Sequence, residues 1–264
     1  MLKPTFKAVP DGSLIVEVEF GGLGDHLFLS PIPRLAKQSG KHERVYISSR
    51  SPYRNSETRD LVWGLNPYVD GFVDQPGSPT APVSVAADEN VLSALLRSYG
   101  IPTADRFIEP ELYYSPRKRD DLAAMKLYDP NYISFVGHLD RRIMEEQFSR
   151  SGREVDMQMA YRGRGYPLDR SLPSLSASSL QDFCDIVASA GEYHCLASGG
   201  ATVAAALNRT ASVYFGRGFN RHMFCHSRRH EYVQLELRGF RLAWQAGKRL
   251  AERARNKIIR SVSR

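Results

Sequence analysis

Apolar residues come in short bursts along this chain, and their spacing switches repeatedly between that of a strand and that of a helix. Leu14 to Phe20 (LIVEVEF) reads as a strand, with Pro10-Asp11-Gly12 before it as a hairpin turn. Leu27 to Gln38 follows at helical spacing, which requires Pro31 and Pro33 to sit in its first turn, where proline is tolerated. Val45 to Ser48 predicts a second strand, Glu57 to Leu65 a helix, and Gly71 to Asp74 a third strand. Gln75 to Pro82 (QPGSPTAP) is a loop by composition. Asn90 to Tyr99 predicts an amphipathic helix closed by Gly100.

The alternation then restarts. Phe107 to Lys118 has two prolines and no helical period, so it reads as a linker. Tyr132 to Val136 (YISFV) predicts a strand, Arg141 to Ser149 a helix, and Val155 to Ala160 is compatible with a strand. Arg162 to Ser176 is a loop by its Arg, Gly, Pro and Ser content. Ser179 opens a helix to Ala190 with an acidic first turn. Strand Tyr193 to Ala197, turn Ser198-Gly199-Gly200, helix Ala201 to Leu207 and strand Ser212 to Phe215 complete the series. Strand alternating with helix predicts parallel sheets flanked by helices, here in two α/β halves meeting near residues 110 to 130.

The chain has 264 residues, enough for one large domain or two small ones. Its 42% hydrophobic and 25% charged residues are ordinary for a globular protein. The formal charge of +7, carried largely by arginine, suits anionic ligands such as nucleotides, nucleic acid or a lipid surface. Cys184, Cys195 and Cys225 form no disulfide framework, and no stretch reads as a leader or a membrane span, so a cytoplasmic protein is expected. The tail 238–264 repeats Leu242, Ala246, Leu250, Ala254 and Ile258 among many basic residues. It predicts a helix packed on the body or, alternatively, a peripheral contact with anionic membrane. Nucleic-acid binding ranks last, because basic and aromatic residues are not interleaved as a stacking platform requires.

Four stretches are candidates for chemistry. In Gly21-Gly22-Leu23-Gly24-Asp25 a strand hands over to a helix, at the sheet edge where α/β proteins bind ligands. Gly22 and Gly24 allow close backbone approach, and Asp25 suits either a helix cap or a general base. His26 is a candidate substrate contact. In Ala197-Ser198-Gly199-Gly200-Ala201-Thr202 a second small-residue turn opens a helix, and its N–H groups with the Ser198 and Thr202 hydroxyls suit a diphosphate. Two such turns, one per half, point to a pocket between domains. Arg217 and Arg221 after the Ser212 strand are candidate phosphate clamps, and Arg141 and His138 after the YISFV stretch are candidate substrate contacts. The fourth stretch, His222-x2-Cys225-His226-x3-His230, has metal-ligand residue types without paired cysteines, so no metal is expected.

In order and spacing these segments resemble glycosyltransferase family 9, the lipopolysaccharide heptosyltransferases. Gly22-Leu23-Gly24-Asp25 with Pro31 resembles the family's G-x-G-D…P opening, and Asn66-Pro67-Tyr68-Val69-Asp70 its N-P-x-V-D segment. Glu111-Leu112-Tyr113 is similar to its inter-domain P-x-L-Y, and ASGGATVAAALNRTASVYFG to its D-T-G…H-x-A-A-A-L…V-x-x-F-G stretch. The family's D-T-G aspartate stands at Ala197 here and its histidine at Thr202, departures that concern the donor sugar more than the fold.

The resemblance implies the GT-B architecture, with two Rossmann-like domains, expected at 1–115 and 116–264, around a ligand cleft. It implies an inverting transfer from a nucleotide-sugar donor to a glycan or lipid-linked saccharide acceptor, without cofactor, in bacterial lipopolysaccharide or polysaccharide biosynthesis. Asp25 takes the place of the general base, and Ser198, Gly199, Gly200 and Thr202 fall on the donor side. The alternative is a divergent GT-B module that binds a glycan, nucleotide or partner protein without transfer.

Overall fold

A computed structural model of the chain describes residues 3–77, 84–86, 89–151, 154–168, 171–221 and 227–237, with residues 239, 243, 244 and 247. It contains two parallel sheets. The first is built from β1 (Thr5–Phe6), β2 (Leu14–Val16), β3 (Val45–Ser48) and β4 (Gly71–Val73), in the spatial order β1-β4-β3-β2. Each residue of β3 is buried, as expected of a strand covered on both faces. β1 pairs in parallel with β4. Pro10-Asp11-Gly12 is therefore a turn, with the Ser13 N–H on the Pro10 carbonyl, but not the turn of a hairpin.

The expected helix from Leu27 to Gln38 is two helices. α1 (Leu23–Leu29) begins inside the glycine turn, and α2 (Ile32–Gln38) restarts after Pro31, which has no N–H to continue the ladder. The segment expected as a helix over 57–65 widens into a π-type turn over Arg59–Gly64, with the Leu65 N–H on the Asp60 carbonyl at 3.1 Å. α3 (Val91–Ser98) is capped by the Asn90 side chain, which accepts the Ser93 N–H at 3.0 Å. The expected domain boundary at 115/116 falls in the extended segment between α3 and the second sheet.

The second sheet contains β5 (Lys126–Asp129), β6 (Met157–Met159), β7 (Ser174–Leu175), β8 (Glu192–Leu196), β9 (Ser212–Gly216) and β10 (Glu231–Leu235). Its spatial order is β10-β9-β8-β5-β6-β7, with all strands parallel. The chain starts at the centre, winds outward through β6 and β7, returns to β8 and winds out the other way. This is the doubly wound order, whose direction reverses between β5 and β8. Helices α4 (Arg141–Ser151), α5 (Leu180–Ser189) and α6 (Gly199–Ala206) complete it.

The YISFV stretch is not a strand. β5 lies before it and stops at Pro130, whose missing N–H cannot extend the ladder, and Ile133 is exposed in the loop beyond. Strands β7 and β10 fall where no strand was expected.

Buried apolar residues form one cluster that runs from the first sheet, through Leu27 and Trp63, to Ala201, Val203 and Cys184 against the second sheet. A second cluster around Tyr128, Phe148 and Tyr214 covers the other face of the second sheet. Among the described residues, no helix is long and apolar enough to cross a membrane. The tail 238–264 lies almost wholly outside the described residues.

Candidate functional site

The two glycine turns meet. α1 and α6 pack N-terminus to N-terminus between the halves, and a Cβ on Gly24 would stand 3.1 Å from the Gly199 Cα and 3.4 Å from the Thr202 hydroxyl. Glycine at 24 is thus what lets the two helix starts approach so closely. The contact brings Gly24 against Gly199 and Thr202; Gly22 and Asp25 belong to the same start of α1, and Ser198 and Gly200 to the facing start of α6.

Asp25 is the third residue of α1 and half-buried. Its Oδ2 accepts the Gly22 N–H at 3.0 Å, so one carboxylate oxygen closes the helix start. Its Oδ1 has no hydrogen bond among the described residues. Burial raises the carboxyl above the ordinary aspartate range, while the Gly22 N–H and the Arg54 charge pull it back.

α6 opens differently. Its cap residue Ser198 makes no side-chain cap, the first turn carries no acid, and the Gly199 and Gly200 N–H groups have no acceptor among the described residues. These uncovered donors at a helix N-terminus favour negative charge.

His26 faces away from the cleft. It is fully buried, stacks on Tyr53 at 4.5 Å, and accepts the Trp63 indole N–H on Nδ1 at 2.8 Å. That bond puts the ring proton on Nε2, which donates to the Pro52 carbonyl at 2.9 Å. Burial lowers its pKa to about 4, so the ring is neutral. His26 is therefore not the substrate contact expected from the sequence but a core residue whose two nitrogens are both used.

The other candidates lie along the carboxyl edge of the second sheet. His138 and Arg217 are joined by backbone, with the His138 N–H on the Arg217 carbonyl at 2.9 Å, and the Gly216 N–H reaches Val136 at 2.8 Å. Arg217 is exposed there, and Arg221 lies over the Phe215 ring at 5.6 Å. Arg141 is exposed at the start of α4 and pairs with Glu145 at 2.6 Å, so its charge is shared with its own helix. Of the metal-type stretch, His222, Cys225 and His226 lie outside the described residues. His230 is buried, and its Nε2 donates to the Ala201 carbonyl in α6 at 2.9 Å. No group of three or more metal-ligating side chains occurs among the described residues.

Sequence reasoning missed two residues. Asp129 ends β5 at the point where the sheet reverses direction. It is buried, receives Asn131 N–H groups on Oδ1 at 3.0 Å and the Tyr193 hydroxyl on Oδ2 at 3.3 Å, and burial raises its carboxyl. A Cβ on Gly200 would stand 2.8 Å from Asp129 Oδ2 and 2.6 Å from the Tyr193 hydroxyl, so the glycine there is sterically required. An acid closing a strand was a readable signal, lost when the strand was placed after Pro130. The second is Arg54, on the loop after β3, beside Gly22. A cavity of about 480 Å³ lies elsewhere, at the far end of α6 against the linker, between Arg34, Glu111, Asn208 and Arg229.

Two α/β halves with parallel sheets, joined through opposed helix starts, define the GT-B class of fold. No protein-family model matches the sequence, and no curated protein matches it. Solved structures do match. One is the family 9 glycosyl transferase of Veillonella parvula DSM 2008, with a TM-score of 0.55 and 9% identity over 91% of this chain and 89% of that one. ADP-heptose lipopolysaccharide heptosyltransferase II of E. coli matches at a TM-score of 0.56 and 11% identity, over 84% and 89% of the two chains. The dodecameric, iron-containing heptosyltransferase TibC matches at 0.57 and 16%, over 91% of this chain and 66% of that one. The chain therefore shares the fold of family 9 glycosyltransferases.

Proposed function

We propose that the protein is a glycosyltransferase that moves a sugar from a nucleotide-sugar donor to a saccharide hydroxyl with inversion, and that Asp25 is its general base. The observation carrying this reading is the Asp25 carboxylate itself. One oxygen is anchored to Gly22 and the other is open, and the residue before it, Gly24, packs on a helix start with uncovered N–H groups. A base is held next to an anion site, as a displacement that releases a diphosphate requires.

In the reaction the free oxygen of Asp25 takes the proton of the acceptor hydroxyl. That hydroxyl oxygen forms its bond to the anomeric carbon as the bond from that carbon to the diphosphate breaks. Gly199 and Gly200 N–H groups, the Ser198 hydroxyl and the Arg217 and Arg221 guanidiniums take up the charge that develops on the leaving diphosphate. Thr202, expected to join them, is buried with its hydroxyl on the Ser198 carbonyl at 3.5 Å and supports the turn. His138 and Arg141 flank the same sheet edge, on the sugar side. The acceptor is a glycan or lipid-linked saccharide of the kind built in bacterial lipopolysaccharide, a reading supported by the fold it shares with the two heptosyltransferases.

Asp25→Asn tests this. Transfer from the donor that the protein accepts falls by about 10²- to 10⁴-fold, while the affinity for the nucleoside diphosphate stays within about threefold. Turnover equal to the wild type removes Asp25 from the chemistry.

A further inference from the structure

Arg54 reaches the site from the loop after β3. Its N–H donates to the Gly21 carbonyl at 2.8 Å, and a Cβ on Gly21 would stand 3.0 Å from the Pro52 oxygen and 3.1 Å from the Arg54 nitrogen. The loop backbone is thus seated directly on the glycine turn. One residue on, a Cβ on Gly22 would lie 2.6 Å from Asp25 Oδ2 and 3.7 Å from Arg54 Nη1. A Cβ there would crowd the carboxylate and meet the guanidinium at ordinary van der Waals distance, so the two groups flank a single Cα. The arginine is exposed, and among the described residues it makes no direct ion pair.

The remaining surroundings of Asp25 are neutral or occupied. α6 has no ionisable side chain from Gly199 to Ala206. On α1, His26 is neutral and turned into the core, where Tyr53 stacks on it. On the same loop as Arg54, Glu57 accepts the Leu180 N–H across the domain junction at 2.6 Å. Arg54 is the charged side chain that acts on the carboxylate.

We propose that Arg54 is a positioning residue for Asp25: its guanidinium faces the carboxylate across Gly22 and supplies the positive charge that the half-buried base otherwise lacks. This inference rests on the reading of Asp25 as the base. The two groups are held near each other without direct contact, so the open oxygen stays available to an acceptor hydroxyl while the cation, together with the Gly22 N–H, favours the ionised form. Burial works against ionisation and Arg54 works for it, so loss of the cation moves the Asp25 titration to higher pH.

The test is a carboxyl carbon NMR titration of the whole protein with carbon-13-labelled aspartate at low salt. The Asp25 signal is identified by its absence in Asp25→Asn. Arg54→Gln is expected to move its midpoint upward by about one pH unit, and Arg54→Lys to restore most of the change. The acid limb of the pH–rate profile moves by the same amount in the same direction. Because Arg54 is exposed and its N–H is kept in both variants, folding is preserved. An unchanged midpoint in Arg54→Gln overturns the inference, as does a shift that lysine leaves unrepaired. The titration needs no substrate, so its failure is distinct from that of the base assignment, which falls only if Asp25→Asn keeps wild-type turnover.

Discussion

The starts of α1 and α6 are built from nearly the same materials and end with opposite chemistry. Each follows a strand of a parallel sheet, each depends on glycine for close approach, and each has a buried neutral histidine behind it. His26 holds α1 through Trp63 and Pro52, and His230 holds α6 through the Ala201 carbonyl. The difference is one carboxylate. Asp25 turns back onto Gly22 and covers the start of α1, whereas α6 leaves the Gly199 and Gly200 N–H groups uncovered. A covered start with a spare oxygen suits proton transfer, and an uncovered one suits an anion. Similar backbone geometry therefore does not fix function; in the proposed reading the placement of one acid divides the two roles.

The division can be broken from the α1 side. Gly22→Ala puts a Cβ 2.6 Å from Asp25 Oδ2 and forces the carboxylate off its anchor. Because the displaced atom is the end of a flexible side chain, stability falls by only about 1 kcal/mol. Transfer falls by about 10²-fold, since a misplacement of about 1 Å at a reacting group costs that much. Steady-state kinetics beside thermal unfolding separate the two effects. A variant as active as the wild type shows that the anchor to Gly22 does not matter.

The support behind α1 is sensitive to acid. His26 has its folded-state pKa lowered to about 4 from 6.5, so its stabilisation is complete above 6.5 and is lost as the pH falls toward 4. The loss amounts to about 3 kcal/mol when complete. Protonation destroys the acceptor for the Trp63 N–H, and the buried ring must then carry charge. His26→Gln, which does not titrate, shows a flatter decline in unfolding free energy from pH 7 to pH 4. Parallel declines contradict the assignment.

Much of this was legible in the chain. The glycine turns, the flanking strands and the division into two α/β halves follow from short apolar bursts punctuated by Gly and Pro. Asp25 was readable as a cap or a base, and in the structure one oxygen of its carboxylate does close the helix start. What the sequence hid depends on distant partners. His26 looks like a cleft residue until Trp63, 37 positions later, is folded against it. Arg54 sits in a polar loop with no pattern of its own, and only the contact with Gly21 brings it to Asp25. β5 was hidden because KLYD is short and half polar, while the stronger apolar run YISFV lies beyond Pro130 and becomes a loop. Asp129 disappeared with it.

The most direct measurement is made on the α6 side: calorimetric titration of ADP, GDP, UDP and CMP into the wild type, Asp25→Asn and Ser198→Asp. An aspartate at position 198 caps the uncovered N–H groups and adds a negative charge where the proposed reading seats the diphosphate. The wild type is expected to bind one of these nucleotides, and Asp25→Asn to bind it within about threefold. Ser198→Asp binds it at least about tenfold more weakly, although its helix is as stable as before or more so. A wild type that binds none of them, or a Ser198→Asp variant that binds as tightly as the wild type, contradicts the assignment of the α6 start as the nucleotide side of the cleft.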